Sequence, residues 1–348
     1  MLKLKDIRRV HVELTTRCNA RCPMCMRNYR GSDYNSGYPI TELSLTDFKH
    51  ILTPAILAQL TQPDPPVNGR VPVAYDFRGV SFNGNLGDFA NARDAVEIVE
   101  YLAEHNVPVM INTNGSLRGA AWWARLALPK VTVGFAIDGL ADTHYLYRQD
   151  TDWHRIIEHA QAFIRAGGKA VWRFVPFEHN RDQEQQCRQM AKDMGFAYFE
   201  NIYDGRDRGP VFDRDGTFSH WIGPTGEPEK HTPEIKNLLQ GHITWYDKNS
   251  RFEKDTPELN IQCIHKRNRE IYLAADGTVY PCCFLGFYPK SMHHPGNQEL
   301  APLVQENNAL EYDLEHCLAW FDSVEQTWNQ PSIAQGRLYQ CVNTCNRT

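Results

Sequence analysis

The stretch "VELTTRCNARCPMC", residues 12–25, puts three thiols within eight residues, Cys18, Cys22 and Cys25, at the spacing C-x3-C-x2-C. Structural zinc sites use four donors, usually from paired C-x2-C knuckles. No fourth Cys or His is adjacent, and His11, on the preceding apolar segment, reads as a packing residue. Three thiolates do suit a 4Fe-4S cluster that leaves one iron open to a further ligand. A second group lies late in the chain: Cys263, Cys282, Cys283, Cys317, Cys341 and Cys345. Cys263 and Cys282 bracket "DGTVYP", and Cys341 and Cys345 form a close pair, so these four can converge from two segments. A fully ligated cluster or zinc would suit them. Cys283 is an alternative ligand to Cys282. Cys317, on a helical pattern, reads as a small buried hydrophobe, and Cys187 as a structural residue of an outer helix.

Strands and helices alternate around the first group. Strands are expected at 8–15, 75–84, 107–116, 130–139, 169–180 and 197–203. Helices are expected at 45–60, 90–106, 119–128, 153–168 and 183–196. Such an order implies a parallel sheet with helices outside. Six repeats fit into about 200 residues, where a complete eightfold barrel takes roughly 250, so the pattern predicts a partial (β/α)6 TIM-like barrel over 1–205. The cysteine loop then follows the first strand, at the end where such barrels carry their active sites. Residues 206–258 are rich in Gly, Pro and charge and read as a linker with little regular structure beyond "PEIKNLLQ". From 259 to 348 a small cysteine-rich domain is expected, with a β-hairpin turning at Asp276-Gly277.

The 348 residues carry ten cysteines, 42% apolar residues and a formal net charge of -5. No apolar run of about 18 residues and no signal peptide is apparent, so a cytoplasmic protein without membrane spans is expected. Without a secretory signal the cysteines favour metal over disulfides. The absence of a long basic run disfavours nucleic acid as a partner. There is no Gly-Lys-Ser/Thr phosphate loop. His293, His294 and Trp122-Trp123 read as surface and packing residues.

The C-x3-C-x2-C loop after a first strand resembles the signature of radical S-adenosylmethionine (SAM) enzymes, and the likeness extends over most of residues 8–203. It implies that the open iron binds the amino and carboxylate groups of SAM. Reductive cleavage then gives methionine and a 5′-deoxyadenosyl radical that abstracts hydrogen from a substrate. "NGNLGD" (83–88) stands where the family has a Gly-Gly-Glu turn. Gly84 matches, Asn85 replaces the second glycine, and the acid is shifted or lost, with Asp88 the candidate. "NTNG" (112–115) matches the end of strand three, with Asn112 and Asn114. "FAIDG" (135–139) resembles the strand-four motif through Asp138, with Ala136 in place of the usual Ser. Arg148 falls where several members put an Arg on the SAM carboxylate, and the backbone of Met24 is implied to face the adenine.

The element Gly277-x4-Cys282 resembles auxiliary-cluster domains fused to such barrels. Six late cysteines are too few for the larger SPASM version and fit the shorter Twitch version. That implies a second 4Fe-4S cluster on Cys263, Cys282, Cys341 and Cys345. Cys283 or Cys317 would be a candidate hydrogen-atom donor, as in some family epimerases. An external electron donor of flavodoxin or ferredoxin type is implied. The first strand begins within about ten residues of the start, which leaves no room for a leader-binding domain. The expected substrate is thus a small molecule undergoing oxidation or epimerisation. The alternatives are a maturase acting on a ribosomally made peptide and, more remotely, a non-catalytic zinc-binding protein.

Overall fold

The computed structural model describes residues 2–25, 27–35, 38–62, 77–203, 209–223, 261–287 and 299–345. Among the described residues, six strands of the main sheet follow in chain order: β1 (Arg9–Val12), β2 (Gly79–Phe82), β3 (Val109–Thr113), β4 (Val131–Ala136), β5 (Lys169–Phe174) and β6 (Tyr198–Asn201). Each pairs in parallel with the next. Parallel neighbours need crossovers, and helices provide them: α1 (Leu45–Ile51), α2 (Pro54–Leu60), α3 (Ala95–Glu104), α4 (Ala120–Arg125), α5 (His144–Tyr147), α6 (Trp153–Arg165) and α7 (Glu184–Met194). The result is the expected partial barrel. No helix among the described residues is long and apolar enough to cross a membrane.

Local chemistry sets the helix ends. Ser44 and Asp47 form a reciprocal capping box on α1. The single helix expected over 45–60 is two. Pro54 has no N–H and forces Thr53 into extended backbone, where the Thr53 side chain caps the N-terminus of α2 instead. Asp152 accepts from the backbone of His154 and Arg155 and starts α6. Trp123 and Trp172 are fully buried, worth about 4–6 kcal/mol each at ~25 cal/mol/Å². The Trp172 indole also donates to Ile137 O at 2.9 Å.

The C-terminal segment joins the barrel sheet. Its hairpin, β7 (Glu270–Leu273) and β8 (Val279–Tyr280), turns at Asp276-Gly277 as expected, with Gly277 at φ +85°. Strand β7 pairs in parallel with β1, Arg9 opposite Glu270 and Val12 opposite Leu273, giving the sheet order β8-β7-β1-β2-β3-β4-β5-β6. Each edge of a buried strand carries N–H and C=O groups that need partners; β2 pairs one edge of β1 and β7 the other. One apolar core accordingly runs from Ile7 through Phe82 and Trp172 to Tyr272, Trp320 and Cys341. Among the described residues this unit also has α8 (Ile264–Asn268), α9 (Cys283–Phe287), α10 (Phe321–Thr327) and α11 (Tyr339–Cys345).

The linker expectation for 206–258 also changes. Gly209–Phe212 and Phe218–Ile222 form an antiparallel hairpin with a register shift between Phe218 and His220. Gly216, at φ +89°, makes the turn, and Val211, Phe212 and Ile222 are buried. The stretch "PEIKNLLQ" at 233–240, His293 and His294 lie outside the described residues.

Candidate active site

Every residue of interest in the barrel lies at or just beyond the carboxyl end of a strand, the end where parallel barrels do chemistry. Cys18, Cys22 and Cys25 follow β1. The Cys25 N–H donates to Cys22 O at 2.9 Å, which folds the loop back on itself. Asn114 Nδ2, after β3, is 3.8 Å from Cys18 Sγ, and Arg148 Nη1 is 3.8 Å from Cys22 Sγ. Burial, then Asp88, then the other two thiols hold the Cys18 thiol well above its ordinary pKa. These three soft thiol donors are close enough to oppose each other's ionisation.

The cation beside them is held in place. Arg148 Nε donates to Asp138 Oδ2 at 2.6 Å, and Asp138, fully buried, also accepts from Val175 N at 2.7 Å through Oδ1. Burial opposes the Arg148 charge, but Asp138 and Cys22 outweigh it. The Asp138 N–H donates to His144 Nδ1 at 3.1 Å. His144 therefore carries its proton on Nε2, which donates to Thr151 Oγ1 at 3.1 Å. Burial lowers the His144 pKa to about 4.

The loop after β2 is organised by a residue that motif reading misses. Glu13, one residue past β1 and buried, accepts from Leu86 N at 2.6 Å and Gly87 N at 2.8 Å, and its other oxygen accepts from Tyr272 Oη at 2.5 Å. Gly87 is pressed so closely on β1 that a Cβ there would lie 1.7 Å from Thr15 O. Asp88, the candidate for the displaced acid, instead accepts from Thr113 Oγ1, Asn114 N and Ala90 N and so holds the ends of β2 and β3 together. Burial raises its pKa. Asn85 Nδ2 donates to Cys283 O at 2.9 Å, and Asn112 Oδ1 accepts from Arg173. Of the residues singled out beyond the cysteines, Asn114 and Arg148 are thus the ones against the thiols. Asp138 acts through Arg148, while the Asn85 and Asn112 side chains are turned elsewhere, and Gly84 makes a tight turn against Gly87.

The 209–222 hairpin covers the cysteine loop. Val211 and Ile222 share an apolar cluster with Ala20, Cys22, Tyr147, Val175 and Phe177, and Met24 packs against it. Met24 Sδ also accepts from Arg30 Nη1 at 2.7 Å. Asp150 takes Arg21 at 3.1 Å and Arg214, and Arg214 reaches Asp33 at 3.1 Å. This chain of charges ties the hairpin tip to the loop.

In the C-terminal unit, Cys263, Cys282, Cys341 and Cys345 all line one cavity of about 30 Å³, together with Phe284, Leu285 and Trp328. Cys263 and Cys345 share a hydrogen bond that pulls the Cys263 pKa down and pushes the Cys345 pKa up. The Lys266 N–H donates to Cys263 Sγ at 3.4 Å, and the Leu285 N–H to Cys282 Sγ at 3.5 Å. Among the described residues no three His, Cys, Asp or Glu side chains close on one point as a single ion needs; these thiols ring a space instead. Cys283 lies outside that ring. Its buried thiol feels Glu270 and Glu13, and burial raises its pKa to about 12. Cys317 is fully buried in the main core with Sγ 3.9 Å from Tyr312 O. Cys187 is buried on α7, as expected. A larger cavity, about 510 Å³, opens at the opposite end of the sheet, lined by Val109, Val131 and Lys169, with no thiol, His or carboxylate among its lining residues.

No family model matches the chain, and no curated protein sequence does. Solved structures do. SuiB of Streptococcus suis bound to S-adenosylmethionine superposes with a TM-score of 0.52 at 15% identity, over 89% of this chain and 65% of SuiB. SuiB bound to its precursor peptide SuiA gives 0.52 at 16% identity, over 91% and 65%. The anSMEcpe structure with bound AdoMet gives 0.49 at 17% identity, over 89% and 77%. The chain thus spans about two thirds of SuiB, and it has the SuiB fold: a mixed α/β partial barrel with an added C-terminal unit.

Proposed function

We propose that this protein is a radical SAM enzyme. The observation that carries the reading is the three-thiol loop at the carboxyl end of β1, flanked by Asn114 and by an Arg148 held on buried Asp138, in a fold shared with SuiB, which binds S-adenosylmethionine. Cys18, Cys22 and Cys25 fit a 4Fe-4S cluster: three soft donors on one loop, near enough to oppose each other's ionisation. Bound there, the cluster would supply the electron that cleaves SAM, and the resulting 5′-deoxyadenosyl radical would take hydrogen from the substrate. Arg148, whose Nε is committed to Asp138, offers its Nη edge to the SAM carboxylate. Glu13 and Asp88 hold the loops after β2 and β3 at fixed height, and the 209–222 hairpin keeps water from the thiol loop.

We infer a second 4Fe-4S cluster, in a Twitch-like setting, on Cys263, Cys282, Cys341 and Cys345. Its support is the shared cavity; Cys282 rather than Cys283 lines it. Four thiolates saturate such a cluster, so it would exchange electrons rather than bind SAM, with an external flavodoxin or ferredoxin as the reductant of the system.

For the substrate we propose a peptide, since the SuiB fold is seen holding the precursor peptide SuiA. This replaces the expectation of a small molecule. Cys283, which feels the charges of Glu13 and Tyr272, is the hydrogen-donor candidate that this reading favours over Cys317. The test is anaerobic iron–sulfur reconstitution followed by iron analysis and a 5′-deoxyadenosine assay with reductant. About eight irons per chain and SAM cleavage are expected. The Cys18→Ala/Cys22→Ala/Cys25→Ala variant should cleave none, and its turning over SAM would sink the reading. A colourless zinc protein would support the zinc-binding alternative.

A further inference from the structure

Trp328 follows α10 and contributes its indole to the wall of the cavity that holds the four late cysteines. An indole N–H is a donor only, and a buried one normally has a partner. Here Nε1 is buried and has no partner within hydrogen-bond distance among the described residues. The indole lines the same cavity as Cys341 and lowers the pKa of its thiol against the effect of burial. A neutral thiol is a weak acceptor, so the contact is loose while Cys341 keeps its proton. A metal-bound thiolate is a stronger one, and charge-assisted bonds shorten and strengthen. The other sulfurs of the ring draw on the backbone: Cys263 accepts from Lys266 N and Cys282 from Leu285 N. The donor to Cys341 is a side chain, so it can be exchanged without moving the chain.

A second feature acts on the same indole. Lys266 Nζ stands 5.7 Å from the centre of the Trp328 ring and is paired with Glu325. A cation over the ring face draws electron density from it and makes the N–H a better donor.

We propose that Trp328 is a positioning residue that tunes the reduction potential of a cluster on the late cysteines, by donating an indole N–H hydrogen bond to Cys341. The proposal rests on the reading that these four cysteines bind an iron–sulfur cluster. Hydrogen bonds to cluster sulfurs stabilise the reduced, more negative state more than the oxidised one and so raise the potential. Removing this one should make the cluster harder to reduce.

The test uses the anaerobically reconstituted full chain carrying Cys18→Ala/Cys22→Ala/Cys25→Ala, so that only the second cluster is present. Trp328→Phe keeps the aromatic wall and deletes the N–H. It is expected to keep about four irons and to lower the one-electron reduction equilibrium about tenfold, ~59 mV. Lys266→Met should shift it in the same direction by less. Full iron content with an unchanged potential overturns the proposal and leaves the cluster assignment standing. Iron that survives Cys341→Ala/Cys345→Ala overturns the assignment itself. Should Trp328→Phe fail to load, the unsubstituted residue still decides the matter. With 15N-tryptophan incorporated, pulsed EPR of the reduced cluster must show a coupled indole nitrogen, and its absence refutes the hydrogen bond.

Discussion

Asp138 and Arg148 offer the sharpest energetic test of the barrel site. Their side chains are 0% and 13% exposed and 2.6 Å apart. At an effective dielectric of ~20, a 2.6 Å contact between unit charges corresponds to a gross attraction of about 6 kcal/mol, which is set against the cost of taking both charges out of water. Removing one partner leaves the other charge buried and unpaired, a loss of about 3–5 kcal/mol. Asp138→Asn suits the purpose because its amide oxygen can still accept from Val175 N. Arg148→Met keeps the stem and removes the charge. Each single variant should lose about 3–5 kcal/mol in anaerobic urea unfolding of the metal-free chain, followed by tryptophan fluorescence. The Asp138→Asn/Arg148→Met double variant should lose no more than either single one, because no unpaired charge remains. Both single variants should also cleave SAM poorly after reconstitution, since the cation beside Cys22 is displaced in one and absent in the other. If Asp138→Asn costs less than about 1 kcal/mol, or if the two losses simply add, the pair is not the buried anchor described here.

Three further outcomes follow from the same geometry. His144, neutral in the folded state with a pKa of about 4, is protonated first in the unfolded chain. Stability should therefore be intact above pH 6.5 and fall by about 3 kcal/mol as pH drops to 4; His144→Asn should lack that slope, and a parallel slope in the variant counts against the assignment. Gly87→Ala would drive a methyl into Thr15 O, which is backbone and cannot yield. It should cost more than about 3 kcal/mol and abolish SAM binding, measured by equilibrium dialysis of the reconstituted protein. Tyr272→Phe deletes the buried 2.5 Å bond to Glu13 and should cost about 1.5–3 kcal/mol in urea unfolding.

The thiol loop and the six-strand alternation were legible because both are written locally: eight residues span Cys18 to Cys25, and each strand or helix carries its own period. Glu13 was not legible. Its partners lie 73 and 74 residues on, in the 83–88 loop, and on Tyr272, 259 residues on. A lone Glu at a strand end carries no motif. The resemblance implied an acid within the 83–88 loop, whereas Asp88 braces β3 and a carboxylate from just past β1 holds the loop. The hairpin at 209–222 was hidden by its register shift and by the charged turn, which break the twofold alternation that marks a strand. Pro54 was readable in principle, since a proline and a preceding Thr are a stop and a cap in one dipeptide.

The four late cysteines were legible as a group, but what joins them to the barrel was not. β7 is the shared piece. It pairs with β1 in register, carries Tyr272 onto Glu13, and leads through the hairpin to Cys282. The next residue, Cys283, accepts from Asn85 in the loop after β2. The loop beside the three-thiol site is therefore held from two directions by the unit that carries the four-thiol site. One carboxylate and one amide make the link, both buried or half-buried. A change in charge at the four-thiol cavity has a short, packed route to the loop that would flank SAM, and Tyr272→Phe interrupts that route without touching a ligand of either site. If the two sites act together, this variant should leave the iron content whole and uncouple SAM cleavage from substrate turnover. If they act apart, SAM cleavage and substrate turnover should change in proportion.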